Sequence, residues 1–137
     1  MKKIGFFIAL SLIFTLVSSC SKEAGEGGTS VIKGKVYIHN YNSSGTAITS
    51  EYDAQDVEVY IIYGTGSNFF DDRIRTSYDG SFEFPYLAKG KYRIYVYEQC
   101  FNTQDDPCPS GMREVLVSAE VTKNKSTVDV GTIIIKD

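Results

Sequence analysis

The chain has 137 residues, 42% hydrophobic and 23% charged, with a formal net charge of −3, three cysteines, one histidine and no tryptophan. At this length one domain is the natural count, and the balance of apolar and charged residues excludes a disordered chain. No Gly-X-Y or heptad repeat is present, and the single imidazole, His39, removes chemistry built on paired histidines.

In chain order, Lys2 and Lys3 precede an apolar run from Ile4 to Val17, then Ser18, Ser19 and Cys20. A basic n-region, a short apolar h-region and a small-residue cleavage site are the three parts of a secretory signal, here residues 1–19. The run is shorter than the roughly 20 residues a spanning helix needs. Val17-Ser18-Ser19-Cys20 resembles a bacterial lipobox. The resemblance implies cleavage before Cys20, a diacylglycerol on its thiol and acylation of the new amine. Ser21 beside it resembles an outer-membrane sorting signal, so the expected location is the outer membrane, on its periplasmic or cell-surface side.

Cleavage would remove two of the 14 basic side chains and none of the 17 acidic ones. The mature chain is acidic and lacks the basic surface that nucleic-acid binding requires. It gains nothing overall from anionic lipid, so the expected hold on a membrane is the covalent one. Residues 20–29 are small and polar after the cysteine and read as a lipidated flexible tether, leaving residues 30–137 as the folded domain.

From Val31 onward, short stretches alternate apolar and polar residues between clusters of Gly, Asn, Asp and Ser, the pattern of strands. The first runs over Ser30–Ile38 with Ile32, Gly34, Val36 and Ile38 on one face, and a polar segment follows through Asp53. The second, Asp56–Tyr63, points Val57, Val59, Ile61 and Tyr63 inward. The third, Phe69–Ser77, is crowded by Asp71, Asp72, Arg73 and Arg75, as expected of an edge strand. Asp79-Gly80 predicts a tight hairpin. The fourth strand carries Phe82 and Phe84 inward and is expected to stop at Pro85. Ala88-Lys89-Gly90 turns into the fifth, Lys91–Glu98, with Tyr92, Ile94 and Val96 on one face and Arg93, Tyr95 and Tyr97 on the other. Met112–Val121 and Thr127–Lys136 are the sixth and seventh. Seven short strands at this spacing predict an all-β, antiparallel-rich Greek-key β-sandwich.

Cys100 and Cys108 bracket a polar loop and form an even pair once Cys20 is set aside. In an oxidising envelope they read as a structural disulfide; the competing reading, a redox or metal thiol pair, lacks C-x-x-C spacing and has only His39 as an available imidazole.

Ile32-Lys33-Gly34-Lys35-Val36 and the run Thr76-Ser77-Tyr78-Asp79-Gly80-Ser81-Phe82-Glu83-Phe84-Pro85-Tyr86-Leu87-Ala88-Lys89-Gly90-Lys91-Tyr92-Arg93-Ile94-Tyr95-Val96 resemble a carboxypeptidase regulatory-like domain. The second run is similar to that family's T-x-x-D-G-x-F-x-F-x-x-L-x-x-G-x-Y-x-I-x-V signature, and prealbumin-like (transthyretin-like) domains share the architecture. The resemblance implies a non-catalytic module in which these residues carry fold rather than chemistry. Where the family continues with a Gly-Tyr pair after the fifth strand, this chain has Glu98-Gln99-Cys100-Phe101.

Residue chemistry points the same way. No motif surrounds a serine that His39 could activate. Asp71-Asp72 and Asp105-Asp106 lie in no recognisable ligand loop and read as solvated charge, so neither metal nor cofactor is expected. An isopeptide bond drawn from Lys33, Lys35, Asp129 and Glu98 would need an inward lysine, and both lysines point outward by strand phase. The remaining feature is ten tyrosines and eight phenylalanines. Tyr60, Arg93, Tyr95 and Tyr97 alternate outward, and on neighbouring strands they would form an aromatic face for a protein partner or a sugar ring. The expectation is a non-enzymatic cell-envelope lipoprotein with a structural or protein-interaction module; the alternative is a carbohydrate-binding accessory that uses those four residues.

Overall fold

Among the described residues, 23–137 of a computed structural model, the chain forms eight strands in two layers. They are β1 (Glu26–Tyr41), β2 (Ile48–Asp53), β3 (Glu58–Tyr63), β4 (Asp72–Arg75), β5 (Ser81–Leu87), β6 (Gly90–Gln99), β7 (Met112–Val121) and β8 (Thr127–Lys136). One sheet is built around β1. Its first half pairs antiparallel with β5 and its last residues with β2, while β8 runs parallel to it over Val31–His39. Since β8 overlaps both registers, β5 and β2 lie end to end along the opposite edge of β1. The other sheet has the order β4-β3-β6-β7, antiparallel throughout.

The inward faces meet as the sequence predicts. Ile32, Val36 and Ile38 of β1, Val59 and Ile61 of β3, Phe82, Phe84 and Leu87 of β5, and Tyr92, Ile94 and Val96 of β6 are buried in one core with Ile133 and Ile135 of β8. Gly34 belongs to this layer because a Cβ there would sit 2.6 Å from the Phe82 ring and 2.7 Å from Val130. Its missing side chain is the space the phenylalanine fills.

Four expectations are corrected. An additional strand, β2, lies within the polar segment expected after the first strand: none of its residues is buried, so it has no two-residue period, and backbone bonds to Tyr37–Tyr41 hold it. The tether read over 20–29 loses its last residues, since β1 starts at Glu26. That segment has no large apolar side chain and is held by its backbone: Gly25 N–H donates to the Tyr92 hydroxyl at 3.0 Å, and Ala88 N–H donates to the Gly25 carbonyl at 2.8 Å. The fourth strand continues past Pro85 to Leu87, because the register slips there and the proline nitrogen has no ladder bond to supply. Tyr86, at φ 60°, takes up the irregularity.

The fourth correction concerns Asp79-Gly80. The turn forms, with Gly80 at φ 77° and Ser77 N–H donating to the Ser81 carbonyl at 2.8 Å. Yet it joins β4 in one sheet to β5 in the other, so it is a corner between layers rather than a hairpin within one. Turn chemistry fixes a reversal of direction but not the pairing partner. A Cβ on Gly80 would come within 2.3 Å of the Val36 carbonyl, so only glycine lets the corner sit against β1.

Cys100 and Cys108 are joined in a disulfide, both buried, with Cα atoms 6.0 Å apart. The loop they close is tied to the sheet by Arg113, whose Nε donates to the buried Glu98 at 2.8 Å and whose Nη1 reaches Asp106 at 2.9 Å. The other Glu98 oxygen accepts the Lys136 backbone N–H at 3.1 Å, linking β6 to β8. The signal peptide, Cys20 and residues 21–22 of the tether lie outside the described residues.

Candidate functional site

The outer face of the β4-β3-β6-β7 sheet gathers the aromatic residues that the sequence pointed outward. Register sets Arg73, Tyr60, Tyr95 and Leu116 in one row across four strands, with Tyr97 beside Glu114 in the row toward the disulfide loop and Ile62, Arg93 and Ser118 in the row on the other side. Tyr60 and Tyr95 stack with ring centroids 4.9 Å apart and planes 9° from parallel. Tyr97 stands edge-on to both, at 5.7 and 5.5 Å. Phe70 meets Tyr60 edge-on at 5.0 Å. These are the arrangements aromatic quadrupoles favour.

The strand phase holds, but facing outward is not the same as being exposed. Tyr95 is only 4% exposed and Ile62 is buried, while Tyr60 and Arg93 are half-buried. Tyr95 is covered by the rings of Tyr60 and Tyr97, while Tyr60 and Arg93 are partly covered by the 64–71 segment. The Arg93 guanidinium donates to the Ser67 carbonyl, Asp71 N–H donates to the Ile61 carbonyl at 2.9 Å, and the Asp71 carboxylate accepts the Tyr63 N–H at 2.7 Å. Of the four predicted residues, Tyr97 alone is exposed, at 40%. The open surface therefore consists of Tyr97 together with Leu116 (47%) and Phe70 (46%), which sequence reasoning did not single out. Phe70 looked like part of an edge strand. Leu116 shows its role only once β7 is paired beside Tyr95.

Charge rims this surface. Glu58 accepts from Arg73 at 3.2 Å and Arg75 at 3.4 Å, and the Tyr60 hydroxyl donates to it as well. Arg75 also pairs with Asp56 at 3.0 Å. The hydrogen bond from Tyr60 holds the Glu58 carboxyl below its usual range and raises the Tyr60 phenol. Burial pushes the Tyr95 and Tyr63 phenols up to about 12 and raises Tyr92 too. In a spectrophotometric titration near 295 nm, these four of the ten tyrosines are expected to ionise above the ordinary phenol value of about 10. Their folded-state values are raised and the neutral form is the one the fold favours. The stability they contribute is therefore complete below about pH 10 and lost as pH climbs toward 12. Ten phenols titrating together in the native protein would contradict this packing.

The other candidates lie elsewhere. Lys33 and Lys35 face solvent as predicted and pair with Asp129 at 3.8 Å and Asp53 at 2.8 Å. His39 meets Glu51 across the β1–β2 ladder at 3.0 Å. Asp106 is held by Arg113. Among the described residues no group of three or more His, Cys, Asp or Glu is arranged to hold a metal ion. Two recesses are open to solvent: a mostly polar one of about 500 Å³ between Lys33, Lys35, Ser81 and Asp129, and a mostly apolar one of about 390 Å³ between Thr65, Tyr92, Arg93 and Ala119.

No protein-family model matches the chain, and no curated protein matches it in sequence. Among solved structures it is similar to a protein of Pseudomonas aeruginosa described as a "putative carbohydrate binding protein", at 14% identity and a TM-score of 0.47, over 83% of this chain and 92% of that one.

Proposed function

We propose that the chain is a non-enzymatic cell-envelope lipoprotein, held in the outer membrane through Cys20, whose β-sandwich is a protein-interaction module of the carboxypeptidase regulatory-like type. The observation that carries the interaction role is the surface of Phe70, Tyr97 and Leu116, set over a filled tyrosine cluster and rimmed by paired charges. Apolar and aromatic anchors inside a charged rim have the composition of a protein interface, and a contiguous apolar patch on a folded domain marks a contact site.

The anchor is supported by the sequence from Lys2 to Cys20, and three acyl chains exceed what stable attachment requires. The family assignment is supported by how the signature residues sit in the fold. Thr76 pins a buried loop, Asp79-Gly80 forms the corner, and Phe82, Phe84, Leu87, Tyr92, Ile94 and Val96 lie in the core. Each has a structural task, in keeping with a module that carries no chemistry there.

A carbohydrate-binding reading has one observation in its favour, the recess of about 390 Å³ beside Arg93, where a mostly apolar floor meets the polar ends of Lys91, Arg93 and Ser118. The two readings separate by variants on exposed residues. In protein extracted from its native envelope in mild detergent, Leu116→Arg is expected to release a complex seen with the unaltered chain, with melting temperature unchanged. A silent glycan array should accompany that result. Glycan binding that disappears with Tyr97→Ala or Lys91→Ala, with no complex to release, would replace the first reading by the second.

A further inference from the structure

We propose that the sandwich stands end-on to the bilayer, with the end where β1 begins against the lipid and the disulfide-loop end farthest away. This orientation rests on the reading of Cys20 as the acylated residue. It comes from where the fold captures the chain. Ala24 packs so closely on the β5–β6 turn that a Cβ on Gly90 would lie 2.6 Å from its own Cβ. Gly25 is held by Tyr92 and Ala88, and Thr29 Oγ1 accepts the Lys125 N–H at 3.0 Å. Four residue steps separate Cys20 from Ala24, which span no more than about 14 Å fully extended. A ten-residue strand such as β6 runs roughly 33 Å. A tether that short holds the nearer end of the molecule at the lipid.

That end carries the 64–71 segment, which leaves β3 beside Gly25, and the 88–90 and 122–126 turns. Phe69 projects from it 82% exposed, a side chain suited to the headgroup boundary. Lys89, Lys91, Lys123 and Lys125 are exposed there, but so are Glu23, Glu26, Asp71 and Glu120. Among the described residues four cations stand against four carboxylates, so their charges balance. The covalent tether and Phe69, rather than charge, set the orientation, and it is expected to persist at high salt. Lysine stems are long enough to lie along the boundary with their ammonium groups at lipid phosphate. With this end seated, the Phe70–Tyr97–Leu116 surface stands on the side of the molecule, open to a partner in the plane of the membrane.

The absence of tryptophan makes the test clean. Phe69→Trp places a single reporter at the near end. Tyr78→Trp places one on an equally exposed side chain in the corner beside Val36, ten residues along β1 from Glu26. The full chain is expressed in a Gram-negative host, purified from membranes and reconstituted in vesicles of brominated phosphatidylcholine; its intact mass reports acylation. The expected result is that Phe69→Trp loses most of its emission to bromine while Tyr78→Trp keeps its own, at low and high salt alike. An acylated protein in which neither reporter is quenched, or Tyr78→Trp is quenched more, overturns the orientation alone. A mass without acyl chains overturns it together with the anchor.

Discussion

Phe84→Ala is expected to lower the unfolding free energy by about 3–5 kcal/mol, the usual cost of deleting a buried aromatic ring. Phe84 is 1% exposed, lies opposite Ile32 in the β1–β5 ladder, and meets Phe82 edge-on at 6.1 Å. It sits on β5 beside β1, the central strand of its sheet, within the core that both sheets share, so the vacated volume is walled by packed side chains and has little room to collapse. A loss of that size is a large share of the roughly 5–15 kcal/mol that a domain has in total. Urea unfolding would show it as an earlier midpoint with an unchanged slope. Phe69→Ala is the companion measurement. At 82% exposure it should cost no more than about 0.5 kcal/mol. Similar losses for both would mean that the division of aromatics into core and surface is wrong.

Thr76→Val, which conserves shape, is expected to destabilise by about 1–3 kcal/mol for each of the two buried groups it strands. Thr76 is 5% exposed; its hydroxyl donates to the Ala54 carbonyl and accepts the Val57 N–H at 2.9 Å. Its own backbone pairs with Asp56 and Val57, at 3.1 and 2.9 Å. One side chain thereby fixes the 54–57 segment, where the chain passes from β2 in one sheet to β3 in the other. Valine fills the same space but leaves a donor and an acceptor without the partner that the hydroxyl supplies. Hydrogen exchange at Val57 should accelerate well beyond the global change. Thr76→Ser, which keeps the hydroxyl, should recover most of the loss. If valine is tolerated as well as serine, the hydroxyl is not what closes this crossing.

These two positions show how legibility in this chain divides. Core strands announce themselves by a two-residue period, and Tyr92, Ile94 and Val96 fall inward as that period requires. A strand with no buried side, such as Ile48–Asp53, has no period to read, since its register comes from backbone bonds to β1. The Asp79-Gly80 turn was visible, but the sheet its second strand joins depends on contacts with Val36, more than 40 residues away in the chain. The candidate site was half legible for the same reason. Phase placed Tyr60, Tyr95 and Tyr97 on one face correctly. How much of that face is open depends on the 64–71 segment, and Gly64-Thr65-Gly66-Ser67-Asn68 gives no sign that it folds back onto Arg93. Leu116 entered the site only through its pairing with Tyr95.

The central claim is that the outer face of the β4-β3-β6-β7 sheet meets a protein partner. Ile134, on β8 in the other sheet, is 49% exposed against 47% for Leu116, so the two are matched in apolar exposure and differ in the face they occupy. A photocrosslinking amino acid placed at each position in turn, activated in intact cells of the native host, compares those faces directly. The account predicts one adduct of discrete mass from position 116, suppressed when Tyr97→Ala is added, and none from position 134. Equal adducts from both positions, or none from 116, would contradict it.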